Sequence, residues 1–262
     1  MEEEAMYKDS YDTMAGASVK KFGLLKNNPL GYFMLSILAG MYIGFAILLA
    51  FTIGSQLGAN PFANLIKGLI FGVALSLVVI PGAELFTGNN LVMGAGVLEK
   101  KVTVSQTLIL WIICWIGNLL GAVILAIIFN KSGLQIPAVA AAFAKGAAVK
   151  MTAPALQLFL RGVLCNILVC LAVWSSFQTK SDPAKLIMIF WTLLAFFATG
   201  FEHSVANMTT LVVALLNTTG NSAVTMGGLW FNLLWVSLGN IVGGVFFVAL
   251  PYWLATKNKA AK

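Results

Sequence analysis

The sequence predicts an all-α polytopic membrane protein of six transmembrane helices, an inverted three-plus-three repeat whose second and fifth helices are broken. Three observations predict this fold. Of the 262 residues, 60% are hydrophobic and only 10% are charged, whereas ordinary soluble domains carry roughly 25% charged residues. Apolar stretches of about 20 residues, the length that crosses a bilayer, recur from Leu30 to Leu254. Two of these stretches are interrupted at their middle by polar residues.

The six predicted spans are joined by short polar connections. They cover residues 30–54, 67–94, 104–129, 155–177, 185–217 and 228–254. The chain therefore divides into an N-terminal segment at 1–27, a transmembrane domain at 28–254 and a C-terminal tail at 255–262. Near-helical spacing of apolar residues within 11–26 predicts a short interfacial amphipathic helix, with a disordered leader as the alternative.

Basic residues are distributed unequally between the two predicted sides of the membrane. The side that holds both termini carries 11 of them, and the other side carries Lys67, Lys131, Lys145, Lys150 and Arg161. Because cytoplasmic loops are enriched in Lys and Arg, both termini are predicted to face the cytoplasm, which requires an even number of spans. The net charge of +7 therefore indicates orientation. It does not indicate nucleic-acid binding, since the lysines form no basic aromatic face.

The two interruptions resemble each other. Gly82-Ala83-Glu84 aligns with Gly200-Phe201-Glu202 at an offset of 118, and the strings around Asn118 and Asn240 align at an offset of 122. With three spans in each unit, the second copy enters from the opposite side, which predicts an inverted repeat. Chance similarity between Gly-rich membrane segments is the alternative.

Non-helical backbone at membrane depth persists only where protein buries it or water bathes it, so the paired breaks predict a central pathway. Half-helix N-termini carry partial positive charge and free N–H groups, which suit an anion. His203 is the only histidine in the chain and lies in the second break, where an ionisable residue predicts a functional role. We therefore expect His203 at the pore centre, with Thr87 and Asn207 as neutral hydrogen-bond donors beside it.

The two glutamates of the breaks, Glu84 and Glu202, are predicted to be structural and to accept hydrogen bonds from freed N–H groups, with a proton relay as the alternative. Lys150 is expected in a vestibule, where its charge would concentrate anions; an ordinary interfacial lysine is the alternative. Apolar side chains flanking the breaks predict constrictions that gate by dewetting. They are Leu85, Phe86, Phe71, Leu75 and Phe196.

Several classes of site find no support in the sequence. Cys114, Cys165 and Cys170 fall inside apolar spans without metal-ligand spacing, so we interpret them as small buried hydrophobes and expect neither a metal nor another cofactor. Ser204 directly follows His203, which makes a nucleophile–base pair geometrically awkward, and no Gly-x-Ser-x-Gly motif is present. The chain is therefore not expected to be an enzyme.

Five strings carry a family resemblance: Asn28-Pro29-Leu30-Gly31, Gly82-Ala83-Glu84-Leu85-Phe86-Thr87-Gly88, Lys150-Met151-Thr152-Ala153-Pro154, Gly162-Val163-Leu164-Cys165-Asn166 and Phe201-Glu202-His203-Ser204-Val205-Ala206-Asn207-Met208. The sequence resembles the formate/nitrite transporter family from about Ala15 to Trp253. The resemblance implies an aquaporin-like fold and a homopentamer with one pore in each protomer. These strings are most similar to those of bacterial nitrite channels. This similarity implies that the protein is located in the bacterial inner membrane.

The resemblance also implies roles for single residues. Leu85, Phe71 and Phe86 would shape one constriction, and Leu75 and Phe196 the other. His203, Thr87 and Asn207 would line the chamber between them, Lys150 would be a vestibule lysine, and Asn166 would be a pore-facing asparagine.

Nitrite is the first expected substrate, with formate and hydrosulfide as alternatives, because all three are small, singly charged and weakly basic. The expected partners are therefore such an anion, protons, the lipid bilayer and further copies of the chain. An ion-coupled secondary transporter built on the same broken spans is the alternative from another functional class.

Overall fold

The computed structural model describes residues 2–217 and 221–257. The end of the predicted tail, residues 258–262, lies outside this range. The described part of the chain is helical almost throughout. Its helices are α1 Glu2–Asn27, α2 Pro29–Leu57, α3 Ala63–Phe71, α4 Val73–Val79, α5 Phe86–Leu98, α6 Val104–Lys131, α7 Pro137–Thr152, α8 Ala155–Gln178, α9 Asp182–Thr199, α10 Ser204–Leu216, α11 Met226–Gly244 and α12 Leu250–Ala255, with a π-helical turn Val245–Ala249 joining the last two.

Five helical stretches among the described residues are long and apolar enough to cross a membrane. They are Pro29–Leu57, Val104–Lys131, Ala155–Gln178, Asp182–Thr199 and Met226–Ala255, and two shorter apolar stretches, Ala63–Val79 and Ser204–Leu216, accompany them. Large apolar side chains such as Ile112 and Trp191 are more than half exposed on the outer faces. A continuous apolar exterior of this kind requires lipid or a partner surface.

The second and fifth predicted spans both contain an interval between helices. Helix α4 ends at Val79 and α5 begins at Phe86, while α9 ends at Thr199 and α10 begins at Ser204. Gly82 and Gly200 have positive φ angles of 88° and 77°, which glycine adopts without the steric cost that a Cβ would impose. These glycines allow the chain to turn at each interval and to start a new helix inside the bundle.

Two helix crossings at close range hold the bundle together. Gly40 of α2 lies against the carbonyl of Asn118 in α6, and Gly239 of α11 lies against the carbonyl of Phe159 in α8. A Cβ at either glycine would collide with backbone atoms of the neighbouring helix. Small residues therefore permit this backbone approach, as is typical of helix pairs in membranes.

One helix was not predicted from the sequence, and another is longer than predicted. Helix α7 was not predicted as a separate element, although Pro137 at its first position is a recognised start signal. Helix α1 is longer than the predicted 11–26 segment, and it buries Tyr11 and Met14 against the bundle. The Tyr11 hydroxyl donates to the carbonyl of Ala249 at 3.1 Å. Because burial raises the pKa of this phenol, it remains a neutral donor.

Candidate functional site

The side chain of His203 connects the two helix intervals. Its Nδ1 accepts a hydrogen bond from the N–H of Ala206 at 3.1 Å, which caps α10. Its Nε2 lies 3.0 Å from Thr87 Oγ1, at the start of α5. Because a nitrogen that accepts a hydrogen bond carries no proton, a neutral His203 has its proton on Nε2 and donates it toward Thr87. The buried ring is thus oriented as a donor between the two half-helices.

Aromatic rings cover one side of His203. Phe196 stacks on the imidazole with 5.9 Å between ring centroids, and Phe71 meets Phe196 edge-on at 5.6 Å. All three side chains are at least 96% buried. Phe71 and Phe196 therefore form an apolar layer against one face of the imidazole.

On the other side of the site, Leu75 and Leu85 border a cavity of about 510 Å³ whose walls include Lys21 and Glu84. This pairing differs from the expected one, in which Phe71 grouped with Leu85 and Leu75 with Phe196. The grouping differs because Leu75 lies one helical turn after Phe71 along α3 and α4. Leu75 therefore lies nearer to the Lys21 side of the bundle than Phe71 does. Phe86 is buried at the start of α5, where its N–H donates to Asn118 Oδ1 at 2.9 Å.

Glu84 forms an ion pair inside the first interval. Lys21 Nζ of α1 lies 2.7 and 2.8 Å from its two carboxylate oxygens, and Asn89 Nδ2 donates to Oε2 at 2.9 Å. The Glu84 carbonyl accepts from Asn118 Nδ2 at 2.9 Å and from Cys114 Sγ at 3.2 Å. The carboxylate is thus held by a cation and an amide, and not by freed backbone N–H groups as expected.

Glu202 forms the corresponding ion pair inside the second interval. Lys150 Nζ of α7 lies 2.8 and 2.9 Å from its carboxylate oxygens, and Asn207 Nδ2 donates to Oε2. Asn240 Nδ2 donates to the Glu202 carbonyl at 3.0 Å. Asn207 also donates to Asn232 Oδ1 at 2.9 Å, which ties the ion pair to α11. The nitrogen of Asn207 is therefore occupied by protein groups.

The two networks share several corresponding contacts. Adding 118 to Glu84 and Asn89 gives Glu202 and Asn207, and the asparagines that bind the two carbonyls, at 118 and 240, differ by 122. The backbone N–H groups of Phe86 and Ser204, again 118 apart, donate to those same two asparagines. Each interval is therefore held by one lysine, one glutamate and two asparagines in the same roles, while the position occupied by Cys114 in the first network is occupied by Asn232 in the second.

Two buried side-chain oxygens beside His203 have no partner among the described protein groups. They are Ser204 Oγ and Asn166 Oδ1. Asn166 uses its Nδ2 to bind the carbonyls of Asn240 at 2.6 Å and of Thr87 at 3.2 Å, which fixes its orientation. An unpaired buried polar atom costs about 1–3 kcal/mol, so these two oxygens are candidate hydrogen-bonding groups for a small polar solute.

Sequence reasoning missed several residues of the two networks. Lys21 is one of the eleven basic residues counted on the side of the termini, although it takes the place at Glu84 that Lys150 takes at Glu202. The offset of 118, applied to Asn207, would have led to Asn89, and the aligned Gly-Asn strings already contained Asn118 and Asn240. Lys21 had no repeat signal, because it and Lys150 lie on helices that the repeat alignment did not include.

The structure contains no cluster of metal-ligating side chains within residues 2–217 and 221–257. No group of three or more His, Cys, Asp or Glu side chains there could hold an ion. The three cysteines are buried free thiols.

Comparison with known proteins decides the family. A sequence model described as formate/nitrite transporter matches residues 8–254. The chain belongs to the formate/nitrite transporter family. It is 41% identical over 255 residues to the nitrite transporter NirC of Escherichia coli strain K12, covering 96% of this chain and 93% of that protein.

Solved structures of family members have the same fold. An FNT family ion channel superimposes with a TM-score of 0.91 at 41% identity, covering 95% of this chain and 99% of that one. A pentameric formate channel with formate bound superimposes with a TM-score of 0.78 at 30% identity, covering 86% and 96%. This member of the formate/nitrite transporter family is thus a multi-pass membrane protein. The relatives are transporters and channels, which confirms the prediction that the chain is not an enzyme.

Proposed function

We propose that the protein is a membrane channel for small monovalent anions of weak acids, with nitrite as the first candidate substrate and formate and hydrosulfide as alternatives. The observation that carries this proposal is the contact of His203 Nε2 with Thr87 at 3.0 Å. It joins the two helix intervals at one buried polar point between apolar layers. The similarity to NirC supports nitrite, and the formate-bound relative supports the wider class of anions.

The proposed architecture has six spans in an inverted repeat, with the second and fifth broken at residues 80–85 and 200–203. The matching Glu84 and Glu202 networks support this repeat. We propose residues 28–254 as the channel domain, with the 1–27 segment and the 255–262 tail in the cytoplasm of a bacterial inner-membrane protein. Assembly as a homopentamer with one pore per protomer is proposed by analogy with the pentameric formate channel.

The apolar layers favour passage of the neutral acid. Moving a small ion into a dry, low-dielectric slit costs on the order of 20 kcal/mol in the idealised limit. Protonating an acid of pKa about 4 at pH 7 costs only about 4 kcal/mol. An anion that takes up a proton before the layer of Phe71 and Phe196 therefore crosses with a far smaller barrier.

We propose that His203 holds the solute through its Nε2–H, while Thr87 and the free oxygens of Asn166 and Ser204 supply further hydrogen bonds. Protonation of the imidazole at Nδ1 would break the Ala206 cap, so His203 serves more readily as a neutral donor than as the source of the proton. The pore therefore binds a small hydrogen-bond acceptor through His203. The proton that neutralises the anion comes from water.

The sodium-coupled alternative is less favoured. Glu84 and Glu202 are the only acidic residues within the two intervals, and each is already bound by a lysine and an asparagine. Neither carboxylate is free to ligate a cation.

Flux into proteoliposomes tests the proposal. We expect wild-type protein to pass nitrite, formate and hydrosulfide without sodium, at rates that increase as the pH falls toward the pKa of each acid. Flux that requires sodium would favour the secondary transporter, and an absence of flux for all three solutes would refute the channel.

His203→Asn tests the donor at the pore centre. Asparagine preserves a side-chain acceptor for the α10 N-terminus, but its amide donor lies closer to the backbone and does not reach the position of Nε2–H. We expect slower flux in this variant, and a larger loss in His203→Ala, which also lacks the cap. If His203→Ala left both the flux and its pH dependence unchanged, the central role of the histidine would be wrong.

A further inference from the structure

We infer that Asn90 provides a polar subsite beside the His203–Thr87 contact, and that this subsite binds a protonated oxyacid, a small neutral solute with one O–H donor and one oxygen acceptor. The inference deepens the proposed channel function and rests on it. It names the form of the solute that binds, and it separates nitrous and formic acid from hydrogen sulfide. Asn90 belongs to neither of the two ion-pair networks.

The side chain of Asn90 is fully buried in α5, yet neither end of its amide has a hydrogen-bond partner. Among the residues whose side chains the structure describes, it is the only buried amide that is unpaired at both ends. The neighbouring Asn89, by contrast, donates to Glu84 and to Tyr32. Because an unpaired buried donor or acceptor is destabilising, Asn90 lowers the stability of the fold unless a polar molecule binds to it.

Asn90 lies close to the centre of the proposed pore. It follows Thr87 by three residues on α5, so the two side chains are neighbours on one face of this helix. A Cβ at Gly244 of α11 would lie 3.0 Å from Asn90 Cβ and 3.0 Å from Asn166 Nδ2. The same Asn166 Nδ2 donates to the Thr87 carbonyl at 3.2 Å, and its Oδ1 is unpaired. The two asparagines therefore adjoin one glycine directly behind Thr87.

The proposed repeat indicates that packing does not require a polar side chain at this position. Adding 118 to Asn90 gives Met208, and subtracting 122 from Gly244 gives Ala122. Both counterparts are apolar and buried. The chain also departs from the repeat directly after Gly244, where Val245–Ala249 is a π-helical turn and the corresponding residues 123–127 continue the α-helix α6. Such turns frequently occur at functional sites.

An amide is complementary to a protonated oxyacid. Asn90 Nδ2–H can donate to the acceptor oxygen of the acid while the acid O–H donates to Asn90 Oδ1, and Asn166 Oδ1 offers a second acceptor. The anion has no proton to donate and would face two carbonyl oxygens. Hydrogen sulfide is a poor substitute, since an S–H group is a weak donor and sulfur a weak acceptor. His203 Nε2–H can therefore bind either form of the solute, whereas Asn90 favours the neutral oxyacid.

Relative fluxes test the inference. Uptake of formate, nitrite and hydrosulfide into proteoliposomes is measured for wild type, Asn90→Leu and Met208→Leu. Leucine is close to asparagine in size and removes both polar groups, while Met208→Leu is a volume-conserving change at the corresponding position. We expect Asn90→Leu to lower the ratio of formate to hydrosulfide flux about fivefold, the factor for one hydrogen bond of ordinary net strength. The nitrite ratio should fall in the same way, and Met208→Leu should retain the wild-type ratios.

Thermal unfolding without added solute separates recognition from structure. Because leucine removes two unpaired polar groups, the melting temperature of Asn90→Leu should equal or exceed that of wild type. A lower melting temperature with an equal loss of flux for all three solutes would assign Asn90 to structure and overturn the inference. Unchanged flux ratios would overturn it as well, and both results would leave the channel function intact. Wild-type protein that passes none of the three solutes would instead refute the proposed function.

Discussion

His203 Nε2 lies 3.0 Å from Thr87 Oγ1 across a sequence separation of 116 residues. Each residue stands at the start of a helix that begins inside the bundle, α5 for Thr87 and α10 for His203. One hydrogen bond therefore connects the two intervals, and each side chain orients the other.

Replacing Thr87 by valine should slow nitrite flux by about fivefold. Valine preserves the shape but removes the hydroxyl, and the buried Nε2–H loses a hydrogen bond worth about 1 kcal/mol. Thr87→Ser retains the hydroxyl and should remain close to wild type. Stopped-flow measurements on proteoliposomes give the comparison, and equal rates for the valine and serine variants would count against the contact.

Removing Lys150 should destabilise the protein by about 3 kcal/mol, because Glu202 would then be buried without its cation. Thermal unfolding in detergent measures the loss. Lys145→Met, which changes an exposed lysine on the same helix, serves as the matched control. Adding Glu202→Gln to Lys150→Met should restore part of the stability. A double variant no more stable than Lys150→Met would mean that the carboxylate tolerates the loss of its partner.

Breaking the Lys21–Glu84 pair should loosen α1. We expect Lys21→Met to increase hydrogen–deuterium exchange along residues 7–27, since the 2.7 Å ion pair connects this helix to the first interval. The Tyr11 contact with Ala249 should leave part of the protection intact. The exposed neighbour Lys20 provides the control, and unchanged exchange in Lys21→Met would indicate that apolar packing alone holds α1.

Adding a methyl group at Gly121 should destabilise the bundle by about 1–3 kcal/mol, because its Cβ would collide with the Ile37 carbonyl of α2. Gly16→Ala is the matched control, since a Cβ there meets nothing within 4 Å. Alanine at this α1 position should instead favour the helix by up to about 1 kcal/mol. Melting temperatures that change alike in both variants would be inconsistent with the close α2–α6 crossing.

Much of the fold was predictable because the bilayer imposes strong rules on sequence. Apolar stretches long enough to cross it give the helices, and polar residues interrupting such stretches are costly enough to indicate function. This is how Glu84, Glu202 and His203 could be selected as candidates. Helix α7 was missed because its Ala-rich sequence is neither a long apolar stretch nor an interrupted one, and Pro137 alone marks only a possible helix start.

The sequence by itself determined the membrane class, the family and the positions of the two intervals, because hydrophobicity and local motifs are properties of neighbouring residues. Only the tertiary structure decided that Lys21 and Lys150 neutralise the two glutamates and that Phe71 packs on Phe196. These relationships depend on distances between helices that are far apart in the chain. Ion pairs and ring contacts form only between groups a few ångströms apart. The order of residues along the chain does not give those distances.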